Sequence, residues 1–133
     1  MIVADNNVIS GFVLPKDDFH AEAVSVRKKD PDWHAPALFR SEFRSVARKH
    51  LLKGESEDLL IQAAQAAKMT LTIHELNDSE VFSIIRETPK TSSYDAEYLD
   101  LARRLSCRLV TTDEELLKSH PQLAISIRQF LAI

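Results

Sequence analysis

Apolar positions change period several times along the chain, and each change marks an element. Met1 to Ala4 is a short continuous apolar run ending at Asp5, the pattern of a buried strand. Asn7 to Leu14 reads as a short helix stopped by Pro15. Asp17 or Asp18 then caps a second helix with Phe19, Ala23 and Val26 along one face. Trp33 to Ala35 is a further strand, closed by Pro36. From Ala37 to Leu52 the apolar positions 39, 43, 46, 47 and 51 recur at helical spacing, and Gly54 marks the stop. Ser56 opens an alanine-rich helix to about Lys68. Thr70 to His74 alternates as a strand does, and Asp78 or Ser79 caps a helix through Val81, Ile84 and Ile85 that Pro89 breaks. Ser92 or Ser93 starts a helix to about Ser106, with Tyr94, Tyr98, Leu101, Ala102 and Leu105 facing inward. Leu109 to Thr112 is a strand, Glu114 to Lys118 a short helix, and Ala124 to Ile127 a last strand.

Strands separated by helices imply parallel pairing through right-handed crossovers. The expected fold is α/β, a three-layer α/β/α sandwich around a mainly parallel sheet of about five strands. No repeat, low-complexity tract or linker interrupts it, so residues 1–133 are read as a single domain. In such sheets ligands bind outside the carboxyl ends of the strands, so the chemistry is sought there.

Composition narrows the class. With 44% hydrophobic and 28% charged residues, the chain suits a compact water-soluble globule. Met1 is not followed by a basic leader, and no apolar run approaches the roughly 18 residues of a membrane span. A cytoplasmic protein without membrane association is expected. The lone Cys107 cannot close an internal disulfide, which fits a reducing compartment. The five histidines are scattered, and His74-Glu75 lacks the second histidine of an HExxH helix, so no Cys/His metal site is expected. The net charge of −3, from 17 basic and 20 acidic residues, argues weakly against a passive nucleic-acid coat. It does not exclude a nuclease, because a metal-binding carboxylate cluster is itself negative.

Four acids stand out by position. Asp5 and Asp113 each follow an apolar strand, so both emerge at one edge of a parallel sheet. Asp95 lies in the first turn of the helix feeding the Asp113 strand, and the N-terminus of a crossover helix sits at that same edge. Glu42 interrupts an apolar helical face beside Leu38, Phe39 and Val46. Four converging carboxylates repel one another and raise each other's proton affinity. A hard divalent cation relieves that repulsion, and all-oxygen ligation selects Mg²⁺ or Mn²⁺. Each acid also has an ordinary structural role: Asp5 and Asp113 as helix N-caps, Asp95 in a capping box with Ser92, and Glu42 as a rim residue with its head in water.

Taken together, the segments Ile2-Val-Ala-Asp-Asn-Asn-Val-Ile9, Ala35-Pro-Ala-Leu-Phe-Arg-Ser-Glu-Phe43, Ser93-Tyr-Asp-Ala-Glu-Tyr-Leu99 and Leu105-Ser-Cys-Arg-Leu-Val-Thr-Thr-Asp113 resemble the PIN-domain family, specifically VapC-type toxin ribonucleases of type II toxin–antitoxin systems. The match spans essentially the whole chain. The resemblance implies a Mg²⁺- or Mn²⁺-dependent endoribonuclease in which Asp5, Asp95 and Asp113 hold the metal and Glu42 completes the catalytic set. It also makes Thr111 a site hydroxyl, with Asn6 and Asn7 as supporting polar groups. It further implies an RNA substrate, a small antitoxin partner and a homodimer. The chain departs from the family at Asn6, where a small or hydroxyl residue is common, and at Ser106-Cys107, where a glycine often ends the helix. Glu114 and Glu115 are both candidates for an additional acid.

Arg40, Arg44 and Arg48 repeat every four residues along one helical face, with Lys49 and Lys53 nearby. Glu42 points to the other side, so this stripe reads as a solvated face. Arg27-Lys28-Lys29 reads as plain surface. Trp33 and Tyr94 could stack bases, but buried packing is the expectation for both. Cys107 reads as a small buried hydrophobe. A phosphotransfer receiver needs an acid pair after its first strand, and Asn6-Asn7 follow Asp5 here. A PIN-like binding module without cleavage activity is the remaining alternative.

Overall fold

The computed structural model describes all 133 residues. Five strands, β1 (Ile2–Ala4), β2 (Trp33–Pro36), β3 (Leu71–His74), β4 (Leu109–Thr111) and β5 (Ala124–Ser126), form one sheet in the order β3-β2-β1-β4-β5. All four pairings are parallel, with Ile2 opposite Trp33 and Val3 opposite Leu109 at the centre. Val3, Ala4, Leu109 and Val110 are fully buried, as strands covered on both faces require.

The connections are helical: α1 (Asn6–Val13) and α2 (His20–Lys29), then α3 (Phe39–Leu52) and α4 (Glu57–Thr70), then α5 (Asp78–Glu87) and α6 (Ser93–Arg104). Finally come α7 (Glu114–Ser119) and α8 (Ile127–Ala132). Helix α1 packs on α2, α3 and α4, and α2 on α8, while α5 packs on α6. With the strand order and right-handed crossovers, this puts α1 to α4 and α8 on one face of the sheet and α5 to α7 on the other. The three-layer sandwich is therefore as expected, and it fixes which helix starts reach the carboxyl edge of the strands.

Local chemistry departs from the sequence reading in several places. Helix α8 occupies the stretch after the last strand; its six residues are too few to show a helical period, and the Ser126 hydroxyl caps it by accepting from the Gln129 amide. Helix α2 begins at His20 without a side-chain cap, because Asp17 Oδ1 instead accepts from the Phe19 amide in the preceding turn. Asn77, not Asp78 or Ser79, caps α5. Tyr94 is exposed, not inward, while Trp33 is buried with its indole N–H donating to the Asp30 carbonyl at 2.7 Å. Phe19 and Leu51, assigned to apolar faces, are also exposed.

Helix α6 ends in a Schellman turn: the Cys107 amide donates to the Ala102 carbonyl, and Ser106 adopts φ 53°, the left-handed region that glycine usually fills. At the sheet flank, His34 and His74, forty residues apart, meet across β2 and β3 with Nδ1 and Nε2 2.8 Å apart, and Asp32 holds the other His34 nitrogen.

Candidate active site

Parallel strands all finish on one edge, so whatever follows each strand, and whatever starts each returning helix, gathers there. Asp5 follows β1 and is the N-cap of α1: the Asn6 amide donates to its Oδ1 at 2.7 Å. Its other oxygen accepts from the Thr111 hydroxyl at 2.6 Å. Thr111, fully buried at the end of β4, in turn accepts from the Asp113 amide at 3.0 Å. Asp113 caps α7, its Oδ1 accepting from the Glu115 and Leu116 amides at 2.9 and 3.2 Å. The ordinary capping roles of Asp5 and Asp113 are thus real. They leave Asp113 Oδ2 without a partner.

Asp95 reaches the same edge from the first turn of α6. Its amide donates to the Ser92 cap. Glu42, in the first turn of α3, is half-buried, and its Oε1 accepts from the Tyr98 hydroxyl at 2.7 Å. Tyr98 was legible in the sequence only as an inward apolar position. The overlooked signal is its spacing of three from Asp95, which stacks the two on one side of α6.

The electrostatics show that the acids share a field. Burial pushes the Asp5 carboxyl up to about 6, with the charges of Asp95 and Asp113 adding to the effect and the Thr111 and Asn6 hydrogen bonds opposing it. Burial likewise raises Glu42, against the pull of the Tyr98 hydroxyl and helped by the charges of Asp5 and Asp95. Asp95 is raised by burial and by Asp113, while Ser92 and His120 oppose. Burial and the Glu42 carboxylate keep the Tyr98 phenol protonated.

As they lie, no three Asp, Glu, His or Cys side chains form a group that would enclose a metal ion. The donor set nevertheless has the chemistry of a hard-cation site: oxygen ligands only, in a shared negative field, with an unpaired oxygen on Asp113. Asn6 adds a second sign. Its side chain is buried beside Asp5, and its Oδ1 accepts no hydrogen bond, the condition of an acceptor waiting for an ion or an ordered water. Asn7 points outward into a cleft with Lys49 and Lys53. Of the two following glutamates, Glu115 lines a cleft with Asp95, while Glu114 lines a different one with Phe19 and Arg128.

Comparison with known proteins agrees with this architecture. The family model for the PIN domain matches residues 2–120. Among solved structures, the fold is similar to that of PAE2754 from Pyrobaculum aerophilum, with 20% identity and a TM-score of 0.76 over 98% of this chain and 86% of that one. It is similar to a toxin–antitoxin complex from Klebsiella pneumoniae, with 16% identity and a TM-score of 0.72 over 96% and 98%. It also resembles Mycobacterium tuberculosis VapC20, a sarcin-ricin loop cleaving toxin, with 11% identity and a TM-score of 0.71 over 90% and 95%. At these identities the likeness is one of fold. No curated protein sequence matches.

Proposed function

The chain belongs to the PIN domain family, and on that premise we propose that it is a divalent-metal-dependent endoribonuclease serving as the toxin of a toxin–antitoxin pair. The observation that carries the reading is the convergence of Asp5, Glu42, Asp95 and Asp113, from four separate elements, at the carboxyl edge of the sheet within one another's field. Asp5, Asp95 and Asp113 would hold Mg²⁺ or Mn²⁺. Such an ion supplies charge neutralisation at the phosphate and a lowered pKa for water.

The chain's own groups do the rest. Thr111 fixes the Asp5 carboxylate through its hydroxyl while taking the Asp113 amide, so two acids are oriented by one side chain. Tyr98 holds Glu42 by Oε1 and leaves Oε2 free to accept the proton of an attacking water. The raised proton affinity of Glu42 suits that task better than an ordinary surface carboxylate would. Asn6 and Asn7 provide polar groups for a phosphate or water next to Asp5. A small antitoxin that covers the acids, and a homodimer, belong to the same reading; the likeness to a toxin–antitoxin complex supports the former.

The test is incubation of the purified chain with total cellular RNA and Mn²⁺, with the cut ends mapped. Discrete cuts that vanish in EDTA and in Asp95→Asn are expected. Cuts that persist in Asp95→Asn would refute the assignment. Intact RNA despite Mn²⁺ binding by calorimetry would favour a PIN-like module that binds without cutting.

A further inference from the structure

Four carboxylates repel the polyanion they are meant to cleave, so phosphates on either side of the scissile bond need cations that the acid cluster does not contain. The surface has two polar clefts beside the cluster, one on each helical layer. The first, about 300 Å³, carries Lys49 from α3 and Lys53 just past its end, and is bounded by Asn7 and Thr112, the chain neighbours of Asn6 and Asp113. The second, about 310 Å³, carries Lys90 and Lys118 and includes Asp95 itself. None of these four lysines forms an ion pair. The arginine stripe serves neither cleft, since Arg44 and Arg48 line a separate, apolar groove between α3 and α4.

We propose that the acid cluster is the midpoint of a track for one RNA strand, which crosses the sheet edge from Lys49 and Lys53 on one layer to Lys90 and Lys118 on the other. The identity of the ligand rests on the nuclease reading; its course rests on the two clefts. The strand is single, because an exposed aromatic ring accompanies each side of the track: Phe19 lines the first cleft, and Tyr94 is the exposed chain neighbour of Asp95, which lines the second. Such rings stack on unpaired bases, whose faces a duplex hides. Burial was the expectation for Tyr94, and its exposure at the start of α6 is what a stacking platform requires.

The track is tested on the full chain in EDTA, where no strand is cut, by fluorescence anisotropy of a labelled oligouridylate across a salt series. Each lysine on a phosphate contributes about 0.7 to the slope of log affinity against log salt for a single strand, so the pair Lys49→Gln/Lys53→Gln should lower the slope by about 1.4. Lys90→Gln/Lys118→Gln should do the same, and either pair should weaken binding roughly ten- to thirty-fold near 0.1 M salt. Arg44→Gln/Arg48→Gln should change neither quantity. If the oligouridylate binds but the lysine pairs leave its slope unchanged, or the arginine pair lowers it, the track is wrong while the nuclease reading stands. Equal affinity for duplex RNA overturns the single-strand assignment. No binding by the parent chain at low salt overturns the track outright; the mapped cleavage assay then decides the nuclease reading separately.

Discussion

Replacing Asp5 by asparagine should make the metal-free protein more stable, although it removes an acid of the candidate site. Asp5 is 7% exposed, and its carboxyl is displaced from the ordinary 3.8 to about 6, chiefly by burial. The folded state therefore holds the Asp5 proton to higher pH than the unfolded state does. Below about 3.8 the displacement has no effect on stability; between there and about 6 the penalty grows; above about 6 it is complete. The full displacement corresponds to roughly 3 kcal/mol near pH 7.5 and about 1 kcal/mol near pH 4.5. Asparagine is nearly isosteric. Its carbonyl can still accept from the Asn6 amide, and its NH₂ can donate to Thr111 Oγ1, so the cap on α1 survives. Thermal melts in EDTA should show Asp5→Asn above the parent by roughly 10 °C near pH 7.5, with the gap shrinking as pH falls. Saturating Mn²⁺ should close the gap from the other side, because an ion at 100 times its Kd stabilises only the chain that binds it, by about 2.7 kcal/mol. A variant equal to or less stable than its parent near pH 7.5, or a gain that does not change with pH, would refute the reasoning.

Other perturbations give separate readings. Tyr98→Phe removes the donor to Glu42 and should destabilise by about 1 kcal/mol in urea titrations. It should also move the acidic limb of the cleavage pH profile upward, since Glu42 then releases its proton less readily; an unmoved limb would separate Tyr98 from the chemistry. Ser106→Gly should relieve the left-handed backbone at the end of α6 and raise stability by about 0.5–1 kcal/mol, read from the midpoint of denaturation. His74 is held below its ordinary 6.5 by burial, by His34 and by Arg104. The unfolded chain therefore protonates His74 first, and stability is lost as pH falls from about 6.5 through the lower pKa of the folded state. His74→Gln should flatten the fall in melting temperature between pH 7 and 5; an equally steep fall in the variant would place its cause elsewhere.

The acids of the candidate site stood out in the sequence because they are written as interruptions. Asp5 and Asp113 end apolar runs, and Glu42 breaks an apolar helical face, so each is visible without knowing the neighbours. What was hidden depends on distance in space rather than position in the chain. The Tyr98 hydroxyl counts as apolar until Glu42 arrives from a helix 56 residues away. The contact between His34 and His74 exists only once β2 and β3 are in register. Tyr94 has the spacing of an inward residue, but it occupies the first turn of α6, which overhangs the sheet edge and leaves the ring in solvent. Helix caps shifted by a residue for a local reason: Asn77 Oδ1 reaches two amides at once, and Asp17 was already committed to the Phe19 turn. The parallel sheet and its three layers, by contrast, followed from alternation and handedness, whereas the order β3-β2-β1-β4-β5 is set by packing that the sequence pattern does not reveal.

The order β3-β2-β1-β4-β5 has a consequence for chains interrupted during synthesis. The central strand is made first, yet one of its two neighbours, β4, begins only at Leu109. Until that residue is available, β1 keeps one edge of unpaired backbone N–H and C=O groups between apolar side chains, Asp5 lacks the Thr111 hydroxyl, and Asp113 has not been made. A product of premature termination is therefore sticky, because it offers chaperones and proteases an open strand, and on the proposed reading it is also inert, because it lacks Asp113. If the proposed nuclease reading holds, late closure of the sheet centre makes activity a property of the finished molecule alone.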